Sequence, residues 1–564
     1  MKPTIKSTQV PSSGIVLCLL IVLASNSFAG SATWKASPDT NDWNTATNWT
    51  PQTVPDRLPD VATFATSSKT AVSLSSTVEV DSIVFNSGAS AFTIGFPTND
   101  TALSLDIGGT GVANNSATTQ HFIANGDSSF GAGIYFLNSA KAGMNASYAI
   151  NPTGAIYFNN ASTADHASFT LSGGTSPSHA ATLYFYNNST AGNGTFTLNG
   201  PALVVFKGDG TTPLPSAGAG TFTLNSDSVN GLSSHAAFNR ATAASASFTA
   251  NGNTLGNSAG SVVEFDTGST AGAATLVANP GPNGGPGGGI FFFYDSSGGT
   301  SRVRVVGAGT GDETDGTLDI EGHNAPGVRI GSLEGSGSVF LRSNNLTVGT
   351  NNLSTVFSGV IADLPGSVTG YFGSLTKTGK GRLTLTNAST YDGGTVINKG
   401  KLIVKNTTGS ATGSGAVQVN SGVLGGTGRI GGTVTVGNGT TTGAVLFPGT
   451  AAKPGILTIN NTLSFNSPAT YKCTLNRTTS PPTMSKVKAL GVTINSGVTF
   501  TLVDATTGTL AAGTSFTVIN NTSANPIFGT FGNLADGGTI TSGGTTFKAN
   551  YHGGDGNDLT LTVQ

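Results

Sequence analysis

Two nearly identical heptapeptides decide the fold: "GTFTLNG" at residues 194–200 and "GTFTLNS" at residues 220–226. In each, Phe and Leu alternate with Thr, the period of a strand with one buried face. Related segments flank them: "ASFTLSGG" from Ala167, "ASFTANGN" from Ala246, "ATLVANP" from Ala274 and "SRVRVVG" from Ser301. Their apolar anchors are Phe169, Phe196, Phe222, Phe248, Leu276 and Val303, spaced 27, 26, 26, 28 and 27 residues apart. A second apolar segment precedes most anchors and carries Phe158 ("AIYFNN"), Phe185 ("TLYFYN") or Phe265 ("SVVEFD"). Between the two, a turn opens at Ser162, Ser189 or Ser269, four residues after the first Phe and seven before the next anchor.

One such unit cannot close a core, but stacking units about 4.8 Å apart places each Phe above the previous one. The period therefore predicts an all-β fold, a parallel β-helix (solenoid) with capped ends. Over residues 105–470 it gives roughly 14 coils and a rod roughly 65 Å long. The competing architecture is an array of immunoglobulin-like sandwiches, which needs about 100 residues per module and antiparallel strands. A 27-residue period favours the solenoid. "PGPNGGPGGG" (Pro280–Gly289) and "TTPLPSAGAG" (Thr211–Gly220) then read as loops inserted within coils.

Composition agrees. Charged residues are 9% of the 564 and glycines number 81, while 37% apolar residues and 30 Phe supply the burial that disordered chains lack. With 25 basic and 27 acidic residues there is no electrostatic footprint for nucleic acid. The N-terminus has the form of an export signal: Lys2 and Lys6, then the apolar run "GIVLCLLIVLA" (Gly14–Ala24), then small residues ending at Ala29. Cleavage there removes Cys18 and leaves Cys473 without an internal partner. No later stretch is apolar enough for a membrane helix. The expected location is secreted or cell-surface.

From Leu375 the repeat changes to "LTKTGKGRLTLTNASTYDGGTVINKGKLIV", ending at Val404. This stretch resembles the passenger-associated transport repeat, also called the autotransporter-associated β-strand repeat, through Lys377, Gly379, Gly381, Leu383, Leu385, Tyr391, Gly393, Gly394, Gly400 and Leu402. Asn387, Ser389 and Asp392 depart from its usual pattern. "GTFGNLADGGTITSGGTTFKANYHGGDGNDLTLTV" (Gly529–Val563) resembles the closing segment of such passengers. The opening "ATWKASPDTNDWNTATNWTPQTVPDRLPDVATF" resembles their beginning. The resemblance implies a pectin-lyase-like passenger fold displayed outside the cell, here with no translocation barrel following it, so that release or an envelope attachment partner is expected. Trp34, Trp43 and Trp49, all the tryptophans of the chain, fall in the opening. They read as a cap over the open end of the solenoid, or alternatively as a sugar-stacking platform.

The resulting division is a signal peptide at 1–29, a Trp-rich cap at 30–104, a solenoid of period about 27 at 105–370, the autotransporter-associated region and further coils at 371–470, and a passenger-end segment at 471–564.

Chemistry is sparse. The densest acidic stretch, "GDETDGTLDIEGH", holds Asp312, Glu313, Asp315, Asp319 and Glu321. On a strand, Asp319 and Glu321 share one face and His323 follows them. A glycoside hydrolase needs two such carboxylates, whereas a solvated turn and outward strand need nothing further. "GGDGND" at 553–558 matches one calcium-binding nonapeptide, but calcium rolls need consecutive copies, and a turn into the last strand explains it. The six His are scattered without metal-ligand spacing, and no metal or cofactor is expected. Thr-x-Thr rungs are similar to those of ice-binding solenoids, but the threonines are not expected to keep one face coil after coil. The leading expectation is a non-catalytic β-helical passenger-type protein with an adhesive or envelope-structural role and a glycan or cell-surface ligand. The alternative is an extracellular polysaccharide lyase or hydrolase using acids near residues 312–321.

Overall fold

The structure, a computed structural model, describes residues 30–97, 103–126, 133–211, 213–227, 229–255, 259–309, 311–366 and 370–564. The signal-peptide reading at 1–29 lies outside the described residues.

The chain is a parallel β-helix. Its first face is a 15-stranded sheet running from Trp49–Thr50 and Ala32–Trp34 to Val360–Ala362. A second face runs nearly the whole length of the rod, from Ala71–Ser73 to Thr499–Asp504. The two period markers of the sequence occupy different faces. Phe158, Phe185 and Phe265 lie on first-face strands, and Phe169, Phe196, Phe222 and Phe248 lie on second-face strands. In both, a residue pairs with its equivalent one coil later, as in Phe196 with Phe222 and Phe222 with Phe248.

Between the sheets the rings form two columns. Phe136, Phe158, Phe185, Phe206, Phe238, Phe265 and Phe292 stack with centroids 4.6 to 4.9 Å apart. Phe122, Tyr148, Phe169, Phe196, Phe222 and Phe248 do the same at 4.3 to 4.9 Å. Rings of one column meet the other edge to face, as Phe206 meets Phe222 at 5.9 Å. Each such contact adds about 0.5–1.5 kcal/mol beyond its burial.

On the corner between the faces, single bridges link Thr163, Thr190, Ser216, Thr242, Thr270 and Ser297 in succession. This corner widens at Gly327–Ile330 into a third, eight-stranded face that continues to Val492–Ile494. The first face ends at Ala362, and from there to Gly428 the chain alternates between the second and third faces.

Both ends are closed. Trp34, Trp43 and Trp49 are buried around Phe64, and each indole N–H donates to a backbone carbonyl, of Lys69, Pro55 and Trp43 respectively. Their ring faces are spent on one another, so they offer no sugar platform. At the far end the last strands, Thr539–Ser542, Thr545–Gly553 and Asp558–Val563, turn antiparallel and fold back on Ser515–Asn521. Arg477, its side chain 1% exposed, ties this cap down: its guanidinium bonds Asp504 at 2.6 Å, Thr545 Oγ1 at 2.8 Å and the Ser542 carbonyl at 2.9 Å. "GGDGND" is the hairpin turn before the final strand, with the Asp558 carboxylate accepting from the Asn521 amide at 2.9 Å.

Candidate functional site

The outward side of the first face carries an ordered row. In register from one strand to the next stand Asp106, Tyr135, Tyr157, Tyr184, Val205, Ala237, Glu264, Phe291, Asp319 and Phe340. Strand alternation, which buries Phe158 and Phe185, turns their neighbours Tyr157 and Tyr184 outward. The Tyr135, Tyr157 and Tyr184 rings stack at 4.5 and 5.0 Å. Their faces are covered by one another, so the ladder presents ring edges and hydroxyls to solvent. Burial pushes the Tyr157 hydroxyl well up, keeping it a hydrogen-bond donor at any ordinary pH.

Further along, loops returning from the second to the first face build a wall beside this row. The wall is held by backbone bonds between successive loops: Asn253 N–H to Pro286 O at 2.8 Å, Gly287 N–H to Glu313 O at 2.8 Å and Gly281 N–H to Thr314 O at 3.0 Å. The "PGPNGGPGGG" loop is its middle layer. Glycine is required at Gly287, where a Cβ would lie 1.9 Å from the Asp315 carbonyl oxygen of the next layer.

Wall and sheet enclose two adjoining depressions of 690 and 330 Å³ that share Ala259, Gly260, Val262 and Phe291. Phe291 and Phe340 with Pro286 form the apolar lining of the larger one, and Thr317, Glu313, Asp319 and Glu321 its polar side. The smaller holds His235 and Glu264, whose Nε2 and Oε2 approach to 3.2 Å.

The acidic cluster divides. Asp315 is buried and structural: it accepts from the Ala308 amide at 2.6 Å and from the Ser338 hydroxyl at 2.8 Å. Asp312 caps its own turn through Thr314 at 2.6 and 3.0 Å. Glu313, Asp319 and Glu321 remain to line the larger depression. Asp319 accepts from the Glu321 amide at 2.7 Å, yet burial still pushes its carboxyl up to about 6. Burial, then the charges of Asp319 and Glu313, push Glu321 up to about 7 against the opposing Arg342. The strand ends at Asp319, and His323 is turned away, its ring nitrogens at 2.6 and 2.7 Å from the Asn324 and Ser296 carbonyls.

The residues of the recognised repeat are elsewhere and are structural. Leu383, Leu385 and Leu402 are core. Tyr391 is fully buried, with its hydroxyl 2.6 Å from Thr395 Oγ1. Lys377 is 1% exposed; its ammonium donates to the carbonyls of Thr378, Gly379 and Lys399, and burial pushes it down to about 8. Gly379 and Gly400 stack in the same corner at φ +65° and +75°; a Cβ on Gly400 would lie 2.4 Å from the Gly379 carbonyl oxygen. Gly381, Gly393 and Gly394 make equally close inter-coil approaches.

Among known families, the passenger-associated-transport-repeat model matches residues 375–404. The resemblance read from Lys377 through Leu402 holds for that segment. No curated protein matches the chain. Among the described residues no helix is long and apolar enough to cross a membrane.

Proposed function

We propose that this is a secreted or cell-surface β-helical passenger-type protein with an adhesive role, and that its contact surface is the groove on the outer side of the first face. The observation that carries this is the continuity of the site. Two adjoining depressions with an apolar lining and a polar wall run along the rod across successive strands, in line with a row of tyrosine hydroxyls. A linear, hydroxyl-rich polymer matches such a surface, with apolar ring faces against Phe291 and Pro286 and hydroxyls donating to Asp319, Glu321 and Glu313. With those three acids and Glu264 facing Arg342 and His235, the groove repels polyuronates and favours neutral or amino-sugar polymers. In this reading the protein binds and does not cleave.

A second reading rests on one observation: Asp319 and Glu321 line one depression with carboxyls raised toward neutrality, as acid/base pairs are. One experiment separates the two. The protein is incubated with neutral, amino and uronate polysaccharides, and both retention and new reducing ends are measured. Retention on neutral or amino polymers, weakened by Phe291→Ala and without new ends, supports adhesion. New reducing ends that vanish in Asp319→Asn or Glu321→Gln replace it with hydrolysis. Neither retention nor cleavage sinks both.

A further inference from the structure

The threonines of the heptapeptides that reveal the fold keep one face after all. On the outer side of the second face, Ser168, Thr195, Thr221 and Ser247 pair in register in one row. Thr170, Thr197, Thr223 and Thr249 form a second row two residues along. Ser147 and Thr275 continue the first row at either end. His121 and Arg302 are the first ionisable residues met beyond them.

This array differs from the other polar ladders. The corner hydroxyls are already used: Thr163, Thr190, Ser216, Thr242 and Thr270 each accept from the amide two residues on, at 3.0 to 3.1 Å. The adjoining asparagines are used too, Asn225, Asn251 and Asn279 each donating to the previous rung at 2.7 to 3.0 Å. The eight hydroxyls of the two rows have no hydrogen-bond partner among the described residues, so their bonds go outward. Directly beneath, Phe169, Phe196, Phe222 and Phe248 stack at 4.9, 4.3 and 4.3 Å and hold the rungs at a fixed separation.

The result is a two-dimensional net of hydroxyls with a mesh of roughly 4.8 Å between rungs and about 6.6 Å along the strand. Water oxygens on a prism plane of ice repeat with a mesh of similar shape. We propose that this face binds ice, or the ordered water layer at an ice surface, independently of the groove on the opposite sheet.

The test is partition of the whole protein into a slowly growing ice front, together with recrystallisation of a frozen sucrose film. Enrichment in ice and slowed recrystallisation are expected. Thr223→Tyr, whose ring stands above the plane at the centre of the net, should abolish both while leaving the thermal unfolding profile in place. Tyr184→Ala, on the opposite face, should change neither. Exclusion of the wild type from ice overturns the proposal, as does undiminished ice entry of folded Thr223→Tyr. Thr223-dependent adsorption to a crystalline polysaccharide with exclusion from ice also overturns it, reassigning the net to a sugar lattice.

Discussion

The solenoid is built in two ways along its length. From Phe122 to Phe248 the space between two sheets is filled by paired columns of aromatic rings, one of which continues to Phe292, with the third side reduced to a row of single bridges. From Gly327 a third sheet appears and the first ends at Ala362, and the lumen is filled by Leu346 and then, between the second and third sheets, by Leu375, Leu383, Ile397, Leu402, Val404, Val419 and Leu424. Coils of 26 to 28 residues leave a wide gap that only large rings fill to interior density, whereas the later coils, in which Leu375 pairs with Thr395 and Leu383 with Leu402, take 19 or 20 residues and leave a narrower one that branched aliphatics fill. The corners differ accordingly. In the first half they are held by hydroxyl and amide side chains. Glycines approach carbonyls of the neighbouring coil in both, as Gly218 does that of Gly192 and Gly400 that of Gly379, but in the second half the Lys377 ammonium supplies the donors. The surfaces are distributed along the same axis: the hydroxyl net lies in the aromatic half, the groove runs from Val262 across the change to Phe340, and the matched repeat lies in the aliphatic half.

The largest expected effect tests whether the halves are separate units. Phe222 touches a ring above, a ring below and one across. Phe222→Ala should cost about 3–5 kcal/mol. In a stacked array that loss should stay with neighbouring coils. Hydrogen exchange should show lost amide protection in residues 168–250, with protection at residues 374–404 intact. Equal loss in both regions would mean a single cooperative rod.

A smaller effect probes the aliphatic half. Gly400→Ala puts a methyl against the Gly379 carbonyl in a left-handed corner, and should cost about 1–3 kcal/mol. The loss should appear at residues 374–404 and leave the hydroxyl net and groove functional. A full-length ice or glycan assay on this variant is therefore a control for both surfaces.

The sequence carried the period, the strand character and the Trp cap because each depends on local alternation or on rare residues. Phe196 and Phe222 could be placed one above the other from spacing alone. The groove was less legible. Asp319 and Glu321 were visible as a pair, but Phe340 arrives from the next coil and Pro286 from the loop before, and neither distance nor wall height is written in a local pattern. Nothing local separated Asp315, which is buried under Ala308 and Ser338, from Asp319 four residues later. The threonine net was misread for a related reason. Thr195 and Thr197 are separated by Phe196, and only the pairing register, which irregular loops of different length preserve, shows that they align with Thr221 and Thr223. Widening of the corner into a third sheet at Gly327 leaves no signature beyond a change in period.

The last prediction sets the halves against each other through pH. Folding raises the carboxyls of Asp319 to about 6 and Glu321 to about 7, and Asp363 near the junction to about 6. The native state then binds more protons than the unfolded chain between about pH 4 and 7, so these groups stabilise fully below that window and the contribution is lost as pH rises through it. Lys377 acts with the opposite sign in a different window. Folding lowers its ammonium from 10.5 to about 8, so the unfolded chain holds the extra proton and stability rises with pH above 8. Thermal unfolding followed from pH 4 to 10 should therefore descend to neutrality, then climb. Asp319→Asn with Glu321→Gln should make the descent shallower, leaving the part due to Asp363, and leave the climb. Lys377→Met should remove the climb and leave the descent, because its long apolar stem keeps the corner filled. If either replacement flattened both limbs, the two regions would be sensing one shared transition, and the division of the rod drawn from its packing would fall with it.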